Sequence, residues 1–579
     1  MWRIRFTLFV FTILVGVIIL RLFQWQVLSS DELSLSGHQQ YLSKTNLPAA
    51  RGEIKTADQV VLVTNEAAFD LYVAKNELKQ DPLKLAEQLA PFFGEDDYEA
   101  ESTLSGQLKQ PTSEEIKQEL TNKLTDKKTL WIPLFRKISI LTKEKIDSLK
   151  IDGLHFENGQ KRFYPESSMS AQLLGFVGRD LTGGDKGYFG LEGYYDRELK
   201  GIPGMISQEK DVYGRPIVIG EKTVKEADEG RSLVLHLDRT VQFIVEEKLR
   251  EGIKKYGAKA GSVVVMDPST GGILAMSSFP SYDPKSWFKY DSTLYKNPVV
   301  ADFFEPGSTF KTLVMAAGIN EGVVTPETKC DKCAGPRQIS GFIIRTWNNK
   351  YYPQATMTEV LEHSDNTGMV FVGEKLGKSK FLSYLRNFGI GQLTGVDLED
   401  EAAVPLREDE KWKEIDLATA SFGQGIAITA IQLVRAVTAI ANGGLLLEPH
   451  IVERVIKPNG EEIPIEPKVI RRVVSNKTAK IMTEMMINAV EKGEAKWAKP
   501  AGFRIAGKTG TAQIPVQGQY DATKTIASFV GFAPADKPRF VMLVRISEPT
   551  SSIYGSETAA PLFFAIAKEL FSYYGIGPQ

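Results

Sequence analysis

Cysteine is nearly absent, with two in 579 residues, Cys330 and Cys333, and two cannot build a disulfide framework. Histidine is almost as sparse: His38, His155, His236, His363 and His450 are scattered and match no metal-ligand spacing. Neither sign of charge dominates. Lys plus Arg at 70 against Asp plus Glu at 72 leave a net charge of −2, so no basic field gathers nucleic acid. Glycine (49) and proline (28) are not in excess, and 42% apolar with 25% charged residues excludes collagen-like and disordered chains. What remains is ordinary globular material, long enough for about three folding units at roughly 100–200 residues each. Its chemistry must come from oxygen and nitrogen groups, with no cofactor or metal expected.

Long apolar runs are also lacking, with one exception. From Phe6 to Leu20 no residue is charged, and Leu22 and Phe23 extend the run past Arg21. The span is just long enough to cross a bilayer once. Arg3 and Arg5 precede it, which by the positive-inside rule holds the N-terminus in the cytoplasm and puts everything after Trp25 outside. A cleaved signal peptide would end in a small-x-small site, but RLFQWQV is bulky there, and Trp2 and Trp25 sit where an aromatic belt would lie. An uncleaved anchor is the better reading.

Between about residue 30 and 230, short apolar runs alternate with the charge-rich segments LKQDPLKLAEQLAPFFGEDDYEAES and TSEEIKQELTNKLTDKKTL, read as amphipathic helices or linkers with solvated faces. Glycines from Gly175 to Gly204 and from Gly214 to Gly220 predict turns in a sheet-rich region. The pattern changes near Arg231. SLVLHLD reads as a strand, Arg239 to Gly252 as a helix, and GSVVVMDPSTGGILAMSSF as a β-hairpin. Strand-like runs return at RIAGKTGTAQ, TIASFVGFAP and RFVMLVRIS before an apolar helix from Ala559 to Tyr573, with a helical stretch from Phe310 to about Ala498 between the two groups. Such a pattern predicts an α+β domain whose terminal strands share one antiparallel sheet, with any site where helices meet it.

Three short motifs carry chemistry. Ser308 follows a Pro-Gly turn and opens the apolar helix TFKTLVMAAGIN, with Lys311 three residues on. A desolvated Lys311 amine beside a second cation would lose its proton and could take one from Ser308. Read blandly, Ser308 is an N-cap and Lys311 a solvated side chain. The S-x-x-K spacing recurs at Ser207 to Lys210 and Ser286 to Lys289, but only the third copy opens a long apolar helix. Ser364-Asp365-Asn366 is the only S-x-N. It reads either as a hydroxyl relay with an amide for a substrate carbonyl, or as a local Asx turn. Lys508-Thr509-Gly510-Thr511, the only K-T-G, lies on a predicted strand. There Lys508 could bind a carboxylate, Gly510 admit a substrate backbone, and the Thr511 N–H complete an oxyanion hole with that of Ser308. The three in this order are a serine acyl-transferase set.

With these motifs the chain resembles a class B penicillin-binding protein. Further segments carry the likeness: Gly261 to Pro284, Ser421 to Leu433 (SFGQGIAITAIQL), Ile440 to Gly444 (IANGG), Arg51-Gly52-Glu53-Ile54, Arg162 to Gly178 and Gly190 to Gly201. The resemblance implies a penicillin-binding/serine β-lactamase-like fold, with a cytoplasmic stub (1–5), an anchor (6–23), a sheet-rich pedestal (24–230) and a transpeptidase domain (231–579). It implies a D,D-transpeptidase of peptidoglycan stem peptides: Ser308 as nucleophile, Lys311 as base, Ser364 and Asn366 assisting, Lys508 with Thr509 on the terminal carboxylate, and β-lactams acylating Ser308. A SEDS-type glycan polymerase, docking on anchor and pedestal, is the implied partner. Glu305-Pro306-Gly307 resembles the division-type subgroup, with the elongation type as the alternative. Two departures stand out. Lys55 to Gln59 replaces the family's usual turn after Gly52, and Cys330-Asp331-Lys332-Cys333 lies outside the core motifs, open to a disulfide or half a metal knuckle, with a local structural role preferred.

Other functions fit less well. A class A β-lactamase needs a glutamate to activate water, and Glu484-Met485-Met486-Ile487-Asn488 only faintly matches, reading better as core helix. A scaffold would not need Ser308 and Lys508, and a β-lactam sensor would need a signalling domain.

Overall fold

A computed structural model describes residues 1–33, 42–93, 112–126, 131–181, 183–209, 217, 222–516 and 519–578. Most of the predicted turn region Gly214 to Gly220, and the last nine residues of the first charge-rich segment, lie outside these residues. Two compact units divide the chain, Met1–Ala50 with Gly201–Gly230, and Arg51–Lys200 with Arg231–Gln579.

In the first unit, helix α1 (Trp2–Phe23) buries none of its residues. It is the one described helix long and apolar enough to cross a membrane. The same unit holds a three-stranded antiparallel sheet in which Gly204–Glu209 pairs with both Leu42–Leu47 and Lys222–Lys225.

The second unit is built on two sheets. One runs Glu462–Pro464, Val452–Ile456, Ser232–Leu235, Ile54–Lys55, Val61–Ala74 and Trp131–Ile138, with Leu154–Phe163 also paired to Val61–Ala74. The departure after Gly52 does not open the hairpin: the Thr56 N–H donates to the Val60 carbonyl, the Val60 N–H donates to the Thr56 hydroxyl, and Gln59 turns the chain at φ +65°. Nearby, Glu192 is fully buried between Arg51 (Nε–Oε2 2.7 Å) and Arg162 (Nε–Oε1 2.6 Å).

The other sheet contains strands β1 (Ala260–Met266), β2 (Ile273–Phe279), β3 (Ala506–Val516), β4 (Gln519–Ala533) and β5 (Phe540–Ser547), in the antiparallel order β2-β1-β5-β4-β3. Alternation along β1 explains why both faces are covered. Val263 and Val265 join one core with helices α2 (Arg239–Tyr256) and α7 (Ala559–Tyr573). Val264 and Met266 join the other core, with α3 (Lys311–Asn320), α4 (Asn366–Leu376), α5 (Ala430–Ala441) and α6 (Asn476–Glu491).

One expectation needs correction. The stretch from Phe310 to Ala498 is not helical throughout. It contains the hairpins Arg337–Ile339/Phe342–Ile344 and Val452–Ile456/Glu462–Pro464, and the strand pair Leu445–Leu447/Val469–Arg472. Ser340 and Gly341, both at positive φ, close the first hairpin as a primed turn, and Asn459-Gly460 lies in the turn of the second. Pro515 pairs with Tyr520 and Val516 with Gln519 as β3 and β4 continue their ladder. Cys330 and Cys333 form a disulfide.

Candidate active site

The site begins at a turn that two glycines make possible. Phe304 and Ile428 exchange backbone hydrogen bonds, and Gly425 N–H donates to Glu305 Oε1 at 3.0 Å. Gly307, at φ +54°, donates its N–H to the Gly423 carbonyl at 3.1 Å. A Cβ at Gly423 would lie 2.1 Å from the Gly307 oxygen, so only glycine lets the 421–428 segment clamp the turn.

Ser308 then lies in a 3₁₀ turn, Gly307–Phe310, ahead of α3 rather than in its first α-turn. Side chains three apart eclipse in a 3₁₀ turn, which sets Ser308 over Lys311. Helix α3 is buried all round, nine of ten residues, because it runs through the core, and Lys311 goes in with it at 0% exposure. The half-buried Ser308 faces outward from that apolar root.

Burial leaves Lys311 with fixed partners. Its Nζ donates to the Ser364 carbonyl (2.6 Å) and to Asn366 Oδ1 (2.8 Å), and lies 3.3 Å from Ser364 Oγ. Asn366 Nδ2 donates to the Arg345 carbonyl at 2.9 Å, which fixes the amide so that its oxygen faces the lysine. Burial first, and the charge of Lys508 second, hold Lys311 well below its usual range, while Asp365 and Glu494 oppose the shift. A neutral amine has two N–H groups and one lone pair. The two carbonyl oxygens take the N–H groups, which leaves the lone pair free to accept a hydroxyl proton.

The local-turn reading of Ser364-Asp365-Asn366 is seen at its middle residue. Asp365 Oδ1 caps α4, accepting from Thr367 N–H and hydroxyl (both 2.7 Å) and from Gly368 N–H (3.3 Å). Ser364 sits at φ +54°, a strained conformation for a residue with a side chain, and this backbone places its carbonyl on Lys311.

Lys508, 3% exposed on edge strand β3, closes the constellation. Its Nζ donates to Ser364 Oγ (3.1 Å), Thr509 Oγ1 (3.1 Å) and the Thr509 carbonyl (3.3 Å). Burial pushes it down to about 8, and Glu494 works against that. Ser364 Oγ therefore touches both lysines, a continuous proton path. Thr509 and Thr511 are half-buried on one face of β3, and Thr511 Oγ1 accepts from Gly555 N–H at 3.0 Å. Gly510 differs from its expected role. A Cβ there would meet Ser528 Oγ at 2.5 Å, Thr309 Cγ2 at 2.8 Å and the Pro306 oxygen at 3.0 Å, so the glycine admits the nucleophile turn itself.

All eight predicted site residues thus come from the two motifs flanking α3 and α4 and from the facing edge strand. Four residues given no role from the sequence also contribute. Asp365 and Glu494 supply the negative charge near the lysines, and each holds a buried carboxylate oxygen without a hydrogen-bond partner. Trp347 and Tyr554, exposed with ring centroids 5.3 Å apart, flank the segments that bond Asn366 and Thr511. Only motif spacing could flag such positions in a single sequence; Glu494, Trp347 and Tyr554 belong to no motif, and Asp365 is the variable middle residue of one.

Comparison with known proteins agrees with this geometry. The penicillin-binding protein transpeptidase domain matches residues 261–568, and the penicillin-binding protein dimerisation domain matches 46–235. Stage V sporulation protein D of Bacillus subtilis is 32% identical over 98% of this chain and 86% of its own length. Peptidoglycan D,D-transpeptidase FtsI of Escherichia coli is 32% identical over 78% of this chain and 73% of its own. The crystal structure of penicillin binding protein 2X from Streptococcus thermophilus shares the fold at a TM-score of 0.72, with 24% identity, covering 92% of this chain and 80% of that one.

Proposed function

The chain belongs to the penicillin-binding protein transpeptidase family, and from that membership we propose that it cross-links peptidoglycan as a division-type, single-pass D,D-transpeptidase acting through an acyl-serine on Ser308. One observation carries the assignment of roles: a lysine with no exposure, Lys311, one turn from Ser308 and joined through Ser364 Oγ to Lys508.

The neutral Lys311 amine takes the Ser308 hydroxyl proton as Oγ attacks the carbonyl of the penultimate D-Ala. Backbone N–H groups of Ser308 and Thr511 stabilise the oxyanion, while Lys508 and Thr509 bind the terminal carboxylate. The C–N bond breaks, terminal D-Ala leaves with a proton delivered through Ser364, and an ester on Ser308 remains. An acceptor amine then gives up its proton and attacks that ester, forming the new amide and returning the proton to Ser308. A β-lactam opens by the same first step, but its leaving nitrogen stays tethered and the ester persists. Asn366 holds the side-chain amide of the donor.

Arg3 and Arg5, in the first turns of α1 before its apolar run, support by the positive-inside rule an N-terminus inside and a catalytic domain outside. A SEDS-type glycan polymerase, binding anchor and pedestal, would supply the strands. Full-length protein given a synthetic D-Ala-D-Ala stem peptide and a D-amino acid acceptor should release D-Ala and form the exchanged peptide, with both products absent in Ser308→Ala. Release of D-Ala without exchange would make it a hydrolase.

A further inference from the structure

At the sheet edge opposite Lys508, a cavity of about 220 Å³ opens between the end of β2, the middle of α2 and the segment Ser168–Gln172. Four strand spacings of about 4.8 Å separate the two edges, roughly 19 Å, so this cavity is no part of the acylation site. Its walls are polar in an unusual way. Ser170 and Ser278 are 3% and 6% exposed, line the cavity, and have hydroxyls with no hydrogen-bond partner. Buried hydroxyls in folded proteins are nearly always paired. Ser170 is held at φ +59°, and its N–H donates to Glu246 Oε1 at 2.7 Å. Gln242 Nε2 donates to the same oxygen at 2.7 Å. Glu246 is thus fixed with one oxygen doubly bonded, and burial raises its carboxyl. Phe279 and Tyr290 add partly exposed aromatic rings to the lining.

This donor set selects a ligand class. A carboxylate among the lining groups disfavours an anion, and the one cation there, Arg250, is already engaged by Glu247. A metal ion would find a single carboxylate. Hydroxyls both donate and accept, a carboxylate only accepts, and aromatic faces take up apolar C–H surface. A ligand that answers all three is a polyhydroxylated ring. The volume lies below the roughly 300–1,000 Å³ of drug-sized sites, which restricts it to one ring.

We propose that this cavity is a binding site for a single neutral sugar ring, held by Glu246, Ser170 and Ser278 against Tyr290 and Phe279. The ring chemistry stands on the cavity alone, and only its source in a glycan strand rests on the function proposed above. The test titrates N-acetylglucosamine, an uncross-linked glycan oligomer and D-alanine into detergent-solubilised full-length protein, read by saturation-transfer NMR. N-acetylglucosamine should bind, and Glu246→Gln and Ser278→Ala should each weaken it about tenfold while penicillin acylation of Ser308 is unchanged. Tighter binding of the oligomer identifies the strand as the source, and equal or weaker binding identifies a free sugar. Absence of saccharide binding, binding unmoved by both variants, or preference for D-alanine overturns the proposal. Because acylation is read separately, loss of the sugar site and loss of the transpeptidase assignment are distinguishable.

Discussion

At the residue scale, two buried lysines share one hydroxyl and carry different tasks. In the mechanism proposed above Lys311 is neutral to accept a proton, while Lys508 is charged to bind a carboxylate. Burial lowers both, and Glu494 favours the charged form of Lys508. Second-order acylation by a penicillin should therefore fall on the alkaline side as Lys508 titrates, near pH 8. Glu494→Gln removes a negative charge, lowers the Lys508 pKa further, and should move that limb to lower pH. A limb that stays in place would show that Glu494 does not set it. Lys311→Ala should lower the acylation rate about 10³-fold or more with little change in fold, measured by stopped-flow against circular dichroism. The three motif segments that meet around Ser364 Oγ were legible because each motif's spacing has a mechanical meaning. Asp365 and Glu494 were not, since a charge acting through space leaves no local pattern.

At the element scale, the site depends on one close approach. The nucleophile turn lies on β3 only because Gly510 has no side chain, and Gly510→Ala pushes against Thr309, Ser528 and the Pro306 carbonyl together. The expected cost is about 1–3 kcal/mol of stability with a larger proportional loss of acylation. Thermal unfolding and acylation of the same variant check it, and an unchanged acylation rate would mean the turn is free to shift. Helix α7 and the β1–β2 hairpin were legible from apolar period and turn residues, and Ala559–Tyr573 is found with its expected bounds. The three-residue strands around Ser340-Gly341 were too short for any period, although the Asn459-Gly460 pair is a hairpin signal the longer helical pattern obscured.

At the scale of the whole molecule, sequence patterning located the long apolar N-terminal helix and the two terminal strand groups better than the sheet joining distant segments. That sheet pairs Ser232–Leu235 with Val452–Ile456 on one side and Ile54–Lys55 on the other, a long-range pairing no local signal encodes. The buried group Arg51, Glu192 and Arg162 lies in the same unit. Burial works to raise the Glu192 carboxyl, and the Arg162 and Arg51 guanidinium groups outweigh it and hold it below its usual range. Glu192→Ala would leave two arginines without their carboxylate and should cost about 3–5 kcal/mol in denaturant unfolding. A loss under 1 kcal/mol would mean that water or Asp196 replaces it. The central claim is that acyl transfer runs through Ser308, and labelling with a fluorescent penicillin tests it most directly. Full-length protein should give a long-lived adduct that peptide mass spectrometry maps to Ser308 and that Ser308→Ala lacks; an adduct on another residue, or label retained by the variant, would contradict the account.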